Sequence, residues 1–339
     1  MDSLTQVLLG GAVAAAVVPG NQRRRALLAG AVLGTVPDLD VVPLALLGLD
    51  PVAHMTWHRG PSHSLFVLAV FGLLAAWLLR RAWPGVREAP LRWLVAIELA
   101  LLTHPVIDAF TVYGTQLFWP LPVAPVMISS VFIIDPLYTL PLLVAFIGVL
   151  VAGARASART LLVAGIALSS AYLGWTLVAK QLVERAATPV LAQMGLADAP
   201  RFSVPMPFNT LLWRVVVMTP EGHLEGVRSL VADHGPMRFS AFASDAQALA
   251  TVRALSPAVR RLDWFAHGFL KGDVQDGRLI ISDLRMVSEP DYTFRFAVAD
   301  NTGGSWVAIR PEQLEWPWQA RERLAGMWQR IWQSPDPGQ

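Results

Sequence analysis

Histidine and aspartate stand out in the first half of the chain, which is otherwise apolar. The chain has no cysteine, so a metal ion there would have to be held by imidazole and carboxylate groups. That combination suits Zn²⁺, Mn²⁺ or Fe²⁺ better than Ca²⁺, which prefers oxygen ligands alone. The residues whose types and spacing fit such a site are Asp38, Asp40, His58, His63, His104 and Asp108.

The clearest pair is His104 and Asp108, four residues apart on a predicted helix. Side chains at that spacing emerge on one face about one turn apart, which suits joint ligation or a carboxylate that orients an imidazole. Asp38 and Asp40 follow a proline, in a turn that can direct two carboxylates into one concavity.

His58 and His63 flank Arg-Gly-Pro, a bend that can bring both rings toward one point. Taken singly, each residue has a plainer interpretation, since a histidine at a helix end is usually interfacial or packed, and an aspartate after a turn is usually a cap. That plainer interpretation applies most directly to Asp40 and Asp135. The convergence of several such residues is what favours a metal site.

The segments that carry these residues are predicted to cross a membrane. Hydrophobic residues make up 54% of the chain and charged ones 15%, with a mean hydropathy of +0.46, whereas a soluble domain has about 25% charged residues. A spanning helix needs roughly 20 apolar residues. Six helices are predicted, of which the first two are marginal in length: 3–18, 26–37, 63–80, 91–110, 131–152 and 160–179.

Arginine predicts the orientation of these helices. Three connections, at 19–25, 81–90 and 153–159, are rich in arginine, and the positive-inside rule makes them cytoplasmic. The N-terminus, the 38–62 connection and everything after residue 180 then face outward. Arginines alone set this orientation, yet it brings the histidines of the apolar half, and its aspartates other than Asp50, to the same outward face.

The second half is predicted to be an extramembrane domain. A proline-containing linker at 181–207 is expected to lead into an α+β, mainly antiparallel domain at 208–339. Asp276-Gly277 lies between two β-like runs and predicts a hairpin turn. The last helix, predicted at 312–332, is amphipathic, and its apolar side would lie on the membrane or pack on its own domain: Trp318, Met327, Trp328, Ile331 and Trp332.

Several stretches, in this order, resemble the YdjM family of inner-membrane metal-dependent hydrolases: MDSLTQVLLGGAV, VPDLD, HRGPSHS, THPVIDAFTVYGTQLFWP and FIIDPLYTLP. The resemblance runs through residues 1–180 and implies a multi-pass protein of the bacterial inner membrane. It also implies that the metal-site residues are Asp38, His58, His63, His104 and Asp108. The family usually has histidine where this chain has Gln6, which implies that a second or peripheral metal position is weakened or lost.

The expected function is hydrolysis through a metal-activated water, with Zn²⁺ the favoured ion and Mn²⁺ or Fe²⁺ as alternatives. Asp40 is the candidate for general base or second-metal ligand. Arg59 is placed to receive a phosphate or to anchor at the headgroups. The favoured substrate is a phosphoester of a membrane lipid or a lipid-linked molecule, since Trp57 and Trp119 suggest a site at the membrane surface.

Two other functions remain open from the sequence. One is a non-catalytic scaffold or regulator with a structural metal, and the other is an ion or solute transporter. Against transport, the ionisable residues gather at one face, with Glu98 as the mid-helix exception. The net charge of +2, without a basic patch, excludes nucleic acid as an expected partner.

Overall fold

The computed structural model describes residues 1–316 and 320–334, and for 320–323 the backbone alone. The chain divides into two compact units. The first contains Met1–Leu46, Trp57–Ile128 and Ile133–Trp175, and the second contains Leu47–Thr56, Ser129–Phe132 and the chain from Thr176 onward.

The helices of the first 193 residues are α1 (Ser3–Val17), α2 (Arg23–Leu33), α3 (Val41–Leu46), α4 (Pro51–Trp57), α5 (Leu65–Ala82), α6 (Pro84–Glu88), α7 (Pro90–Ala109), α8 (Pro136–Ala152) and α9 (Ala156–Gln193). Short 3-10 turns lie between some of them at Gly20–Gln22, Val36–Asp40 and Pro61–His63.

Within the described residues, four helical stretches are long and apolar enough to cross a membrane: Gly20–Leu46, Leu65–Ala82, Pro90–Ala109 and Ala156–Gln193. Two more apolar helices, α1 and α8, are shorter, with 15 and 17 residues. A helix of that length spans about 22–26 Å, somewhat less than the ~30 Å hydrocarbon layer. The six predicted helices are therefore present as apolar helices, and four of them meet the length expected of a span.

Two predicted boundaries differ from the structure. The helix expected at 131–152 begins at Pro136, because the Asp135 carboxylate caps it by accepting from the backbone N–H groups of Leu137 and Tyr138. The last helix continues to Gln193, and strand β1 follows at Arg201–Pro205. Most of the stretch expected to be a linker, 181–207, thus has regular structure.

Helices α1 and α2 pack backbone to backbone through glycine. A Cβ atom added to Gly10 would lie 2.5 Å from the carbonyl oxygen of Gly30 and 2.9 Å from the Cα of Gly34. Small residues permit such close approach between membrane helices. The contact matters for the candidate site because Gln6 on α1 and the carbonyl of Gly34 both reach α7.

The second unit contains two four-stranded antiparallel sheets in sequential strand order. The strands are β1 (Arg201–Pro205), β2 (Leu212–Thr219), β3 (Gly222–Ser229) and β4 (Phe239–Ala243) in one sheet, and β5 (Leu270–Gln275), β6 (Arg278–Asp283), β7 (Arg295–Thr302) and β8 (Ser305–Gln313) in the other. Helices α10 (Ala246–Leu255) and α11 (Pro257–Phe265) connect the sheets along the chain.

The predicted hairpin is confirmed. β5 and β6 pair antiparallel, and the two residues between them, Asp276 and Gly277, have φ of 50° and 73°, as a two-residue hairpin turn requires. Strands β1 and β4 were not predicted. Both are five-residue strands that give little local signal, and their neighbours β2 and β3 pair with them.

The first sheet packs on the C-terminal part of α9, with Ala179, Val183 and Ala187 against Trp213 and Val215.

This sheet also carries a buried ion pair, in which Arg214 Nη1 donates to Glu225 Oε1 at 2.7 Å. Burial alone would raise the pKa of Glu225, but the guanidinium of Arg214, together with His223 and Tyr292, lowers it to about 2.

The final helix, α12 (Ala320–Trp332), is shorter than predicted. The start of the predicted segment 312–332 belongs to β8, where Gln313 pairs with Phe296. Trp328 and Trp332 are exposed while Ile331 is buried, and Trp318 lies outside the described residues.

The glycine contact yields a test. We expect Gly10→Ala to lower the free energy of unfolding by about 1–3 kcal/mol, because the new methyl group overlaps the backbone of α2. Gly174→Ala is the matched control, since a Cβ there meets nothing within 4 Å and alanine favours the helix. Thermal unfolding in detergent should show a lower midpoint for the first variant and no decrease for the second; equal midpoints would contradict the packing.

Candidate metal centre

Four of the predicted residues converge on one point. Asp38, His63, His104 and Asp108 each offer one ligand atom, and these atoms lie within 4.8 Å of one another. We call this group the metal quartet. His63, His104 and Asp108 have fully buried side chains, whereas the Asp38 side chain is 26% exposed.

Three local structures bring the quartet together. His104 and Asp108 lie one turn apart on α7, as their spacing predicts. Asp38 lies in the Val36–Asp40 turn after α2, and His63 ends the Pro61–His63 turn before α5. Each turn has a proline near its start, Pro37 in the first and Pro61 in the second, and the fixed φ of proline favours a tight turn.

The distances in the quartet match the edges of a small coordination polyhedron. His63 Nε2 lies 3.1 Å from His104 Nε2, 3.4 Å from Asp38 Oδ1 and 3.3 Å from Asp108 Oδ2. His104 Nε2 lies 3.3 Å from Asp38 Oδ1 and 3.6 Å from Asp108 Oδ2. Ligands about 2.0–2.1 Å from a tetrahedral zinc would be roughly 3.3–3.4 Å apart.

Hydrogen bonds on the far side of each ring assign the imidazole protons. His104 Nδ1 lies 2.5 Å from the carbonyl oxygen of Gly34, which only accepts, so Nδ1 carries the proton. His63 Nδ1 lies 2.9 Å from Ser62 Oγ, whose own proton goes to Asp40 Oδ2 at 2.6 Å, so His63 Nδ1 also carries its proton. Both Nε2 atoms therefore present lone pairs to the quartet.

The donor set therefore fits a cation. With neutral rings, two nitrogen lone pairs and two carboxylate oxygens face one another with no proton between them. With both rings doubly protonated, two N–H groups would face each other across 3.1 Å, and with one ring doubly protonated a single proton would join the two nitrogens but neither carboxylate. Asp108 Oδ2 is buried and accepts no hydrogen bond among the described residues. A divalent ion satisfies all four atoms at once.

Asp108 is held from its other side by residues that the sequence did not single out as partners. Gln6 Nε2 donates to Asp108 Oδ1 at 3.0 Å and to the backbone oxygen of His104 at 3.3 Å. The amino group of Met1 also contacts Asp108 Oδ1. Gln6 thus orients a quartet residue. The resemblance to the family marks this position, because histidine is usual there, but it implies a peripheral metal position and not a hydrogen bond to Asp108.

His58 and Asp40 form a separate pair beside the quartet. His58 was expected among the ligands, but its Nδ1 lies 2.8 Å from Asp40 Oδ1, and its ring centre lies 5.8 Å from that of His63. Asp40 Oδ2 accepts from Ser62 and from the backbone N–H of Arg59 at 3.1 Å. The tight Val36–Asp40 turn sends Asp38 and Asp40 to different partners, so the two carboxylates do not share one point. The pair is partly exposed, 21% for His58 and 11% for Asp40.

Arg59 is turned toward the interior. The sequence suggested instead that it contacts a phosphate or anchors at the lipid headgroups. Its backbone has a φ of 61°, and its side chain is buried. Nε lies 3.2 Å from Asp108 Oδ2, and Nη1 donates to Thr111 Oγ1 at 3.1 Å. The guanidinium thus balances the charge of Asp108.

Two further aspartates of the first unit, Asp2 and Asp135, are helix caps. Asp2 accepts from the backbone N–H of Thr5 at the start of α1, and Asp135 caps α8 and accepts from Tyr172 Oη at 2.9 Å. The capping interpretation of Asp135 is therefore confirmed.

The contact between Gln6 and Asp108 can be tested by an isosteric change. In Gln6→Glu the amide donor becomes a carboxylate that repels Asp108, and we expect zinc affinity to fall roughly 10- to 100-fold, as for other partners of metal ligands. Competition titration with a chromophoric chelator measures it. Gln247→Glu, at an exposed position of α10, makes the same change elsewhere and should leave affinity unchanged. Equal affinities for both variants would contradict the orienting role.

Comparison with known proteins identifies a family for the first part of the chain. Neither the curated proteins nor the solved structures include a match to the chain. The family model described as the YdjM inner membrane protein matches residues 1–183 of the 339, which include the whole metal quartet. The chain therefore belongs to the YdjM family of inner membrane proteins.

Proposed function

We propose that the protein is a membrane-bound metal-dependent hydrolase that acts on a phosphoester of a lipid or lipid-linked molecule. The observation that carries the proposal is the metal quartet, two imidazole nitrogens and two carboxylate oxygens within 4.8 Å of one another, beside a partly exposed Asp40–His58 pair. A divalent ion held there would supply Lewis acidity and lower the pKa of a bound water toward about 7.

His58 is the proposed proton acceptor. Its Nδ1 proton is held by the Asp40 carboxylate, so Nε2 carries a lone pair that can take a proton. A general base contributes typically 10²- to 10⁴-fold to a rate. Asp40 then has the orienting role, in place of the general-base role that the sequence suggested for it.

The division of labour between the quartet and the pair predicts two different phenotypes. His63→Ala and His104→Ala should lose bound metal and hydrolysis together. His58→Ala should keep the metal, because His58 lies outside the quartet, and lose hydrolysis by roughly 10²- to 10⁴-fold. Elemental mass spectrometry and release of headgroup phosphate from mixed phospholipid micelles give the two readouts.

His54→Ala is the matched control for these variants, since His54 lies on α4 and outside the quartet; it should retain both metal and activity. A wild-type protein without metal after reconstitution would contradict the proposal, and so would loss of metal in His58→Ala as severe as in His63→Ala.

A structural metal is the second candidate function. Four protein ligands can close a tetrahedral shell, as structural zinc sites do, whereas catalytic sites keep a position for water. Asp38 is the partly exposed member of the quartet, so the two functions differ in whether Asp38 closes the shell or water reaches the ion beside it. A scaffold would be favoured if the protein held a stoichiometric metal but hydrolysed no phospholipid, and if small anions displaced no water from that metal.

We further propose that the arginine-rich connections face the cytoplasm and that the second unit faces outward, with six membrane helices. The chain has no cysteine, so single cysteines can report sidedness. Asn301→Cys should react with a membrane-impermeant maleimide in cells with a permeabilised outer membrane, and Ser157→Cys, beside Arg155 and Arg159, should react only after lysis. The reverse pattern would overturn the orientation.

A further inference from the structure

The Ser62 hydroxyl lies between an aspartate and a residue of the metal quartet. Ser62 Oγ is 2.6 Å from Asp40 Oδ2 and 2.9 Å from His63 Nδ1. A hydroxyl has one proton to donate and lone pairs to accept with. The carboxylate can only accept, so the hydroxyl proton points to Asp40 and the lone pair faces the His63 N–H.

A second serine, Ser64, stabilises the start of helix α5. Ser64 is the N-cap of α5, where its Oγ accepts from the backbone N–H of Val67 and donates to the carbonyl oxygen of Trp119 at 2.6 Å. Ser62 has no part in that cap. Its two hydrogen bonds go instead to Asp40 and His63.

The same carboxylate serves both histidines. Asp40 Oδ1 holds His58 Nδ1, and Asp40 Oδ2 holds Ser62 and the backbone N–H of Arg59. Because both oxygens are engaged, the carboxylate has one orientation, and Ser62 transmits that orientation and charge to the ring of His63.

We infer that Asp40 and Ser62 form a relay that fixes the His63 tautomer and thereby sets the affinity of the quartet for its metal. This inference rests on the proposed metal site. Without the Ser62 hydroxyl, His63 Nδ1 loses its acceptor, and the tautomer that presents N–H rather than a lone pair at Nε2 becomes accessible. Ser62 is a positioning residue, since it lies behind the ligand and not among the ligand atoms.

The relay is tested with the full-length protein in detergent, with Zn²⁺ affinity from chelator competition and the visible absorption of bound Co²⁺ as readouts. Ser62→Ala should bind Zn²⁺ roughly 10- to 100-fold more weakly and show an altered Co²⁺ spectrum. Ser62→Thr keeps a hydroxyl, and its Zn²⁺ affinity should lie within about threefold of that of the wild type. Ser64→Ala removes a buried hydrogen-bonded serine two residues away, and should lower the unfolding temperature without changing affinity or spectrum.

Asp40→Asn supplies a second variant that keeps the shape of the side chain. If Asp40 acts through Ser62, the Ser62→Ala/Asp40→Asn double variant should bind metal about as weakly as the weaker single variant, since residues in one network are not additive. Fully additive losses would mean independent effects and would overturn the relay. So would wild-type affinity in Ser62→Ala, or an equal loss in Ser64→Ala.

The outcomes separate the relay from the proposed function. Metal bound by wild type and unaffected in Ser62→Ala refutes the relay and leaves the hydrolase proposal intact. Metal bound by wild type, weakened in Ser62→Ala, without hydrolysis of phospholipid supports the relay and refutes the hydrolase. Failure of the wild type to bind any divalent ion refutes both.

Discussion

Two imidazole nitrogens lie 3.1 Å apart in the first unit, and each lies 3.3–3.6 Å from an oxygen of Asp38 and an oxygen of Asp108. Arg59 balances the charge of Asp108, but the nitrogen lone pairs and the second carboxylate still repel one another where water cannot screen them. A cation bound at this point would replace that repulsion by attraction to all four ligand atoms. The surrounding hydrogen bonds make sense in this light, since each holds a ligand atom facing the same point.

Helix packing supplies those outer partners. Glycine on α1 and α2 lets the two backbones approach closely, and this approach brings the Gln6 amide and the Gly34 carbonyl to α7. Each contributes a hydrogen bond that aligns Asp108 or His104. A larger residue at Gly10 would act on the metal centre indirectly, by moving the groups that orient its ligands.

The quartet and the Asp40–His58 pair differ in exposure, and this difference suits two tasks. Buried groups hold an ion well because nothing competes for them, while proton transfer needs a group that water or a substrate can reach. Asp40 connects the two sets through Ser62 on one side and His58 on the other. The Asp40 carboxylate can thus couple metal binding by the quartet to proton transfer by His58.

The sequence by itself determined the apolar helices, the second unit of antiparallel strands, the β5–β6 hairpin and the pairing of His104 with Asp108, because these follow from periodicity and spacing within a few residues. Only the tertiary structure decided that His58 lies outside the quartet and that Gln6 and Gly34 orient it. Gln6 lies 102 residues from Asp108, and Gly34 lies 70 residues from His104. Contacts at such separations depend on how helices pack, which no local pattern specifies.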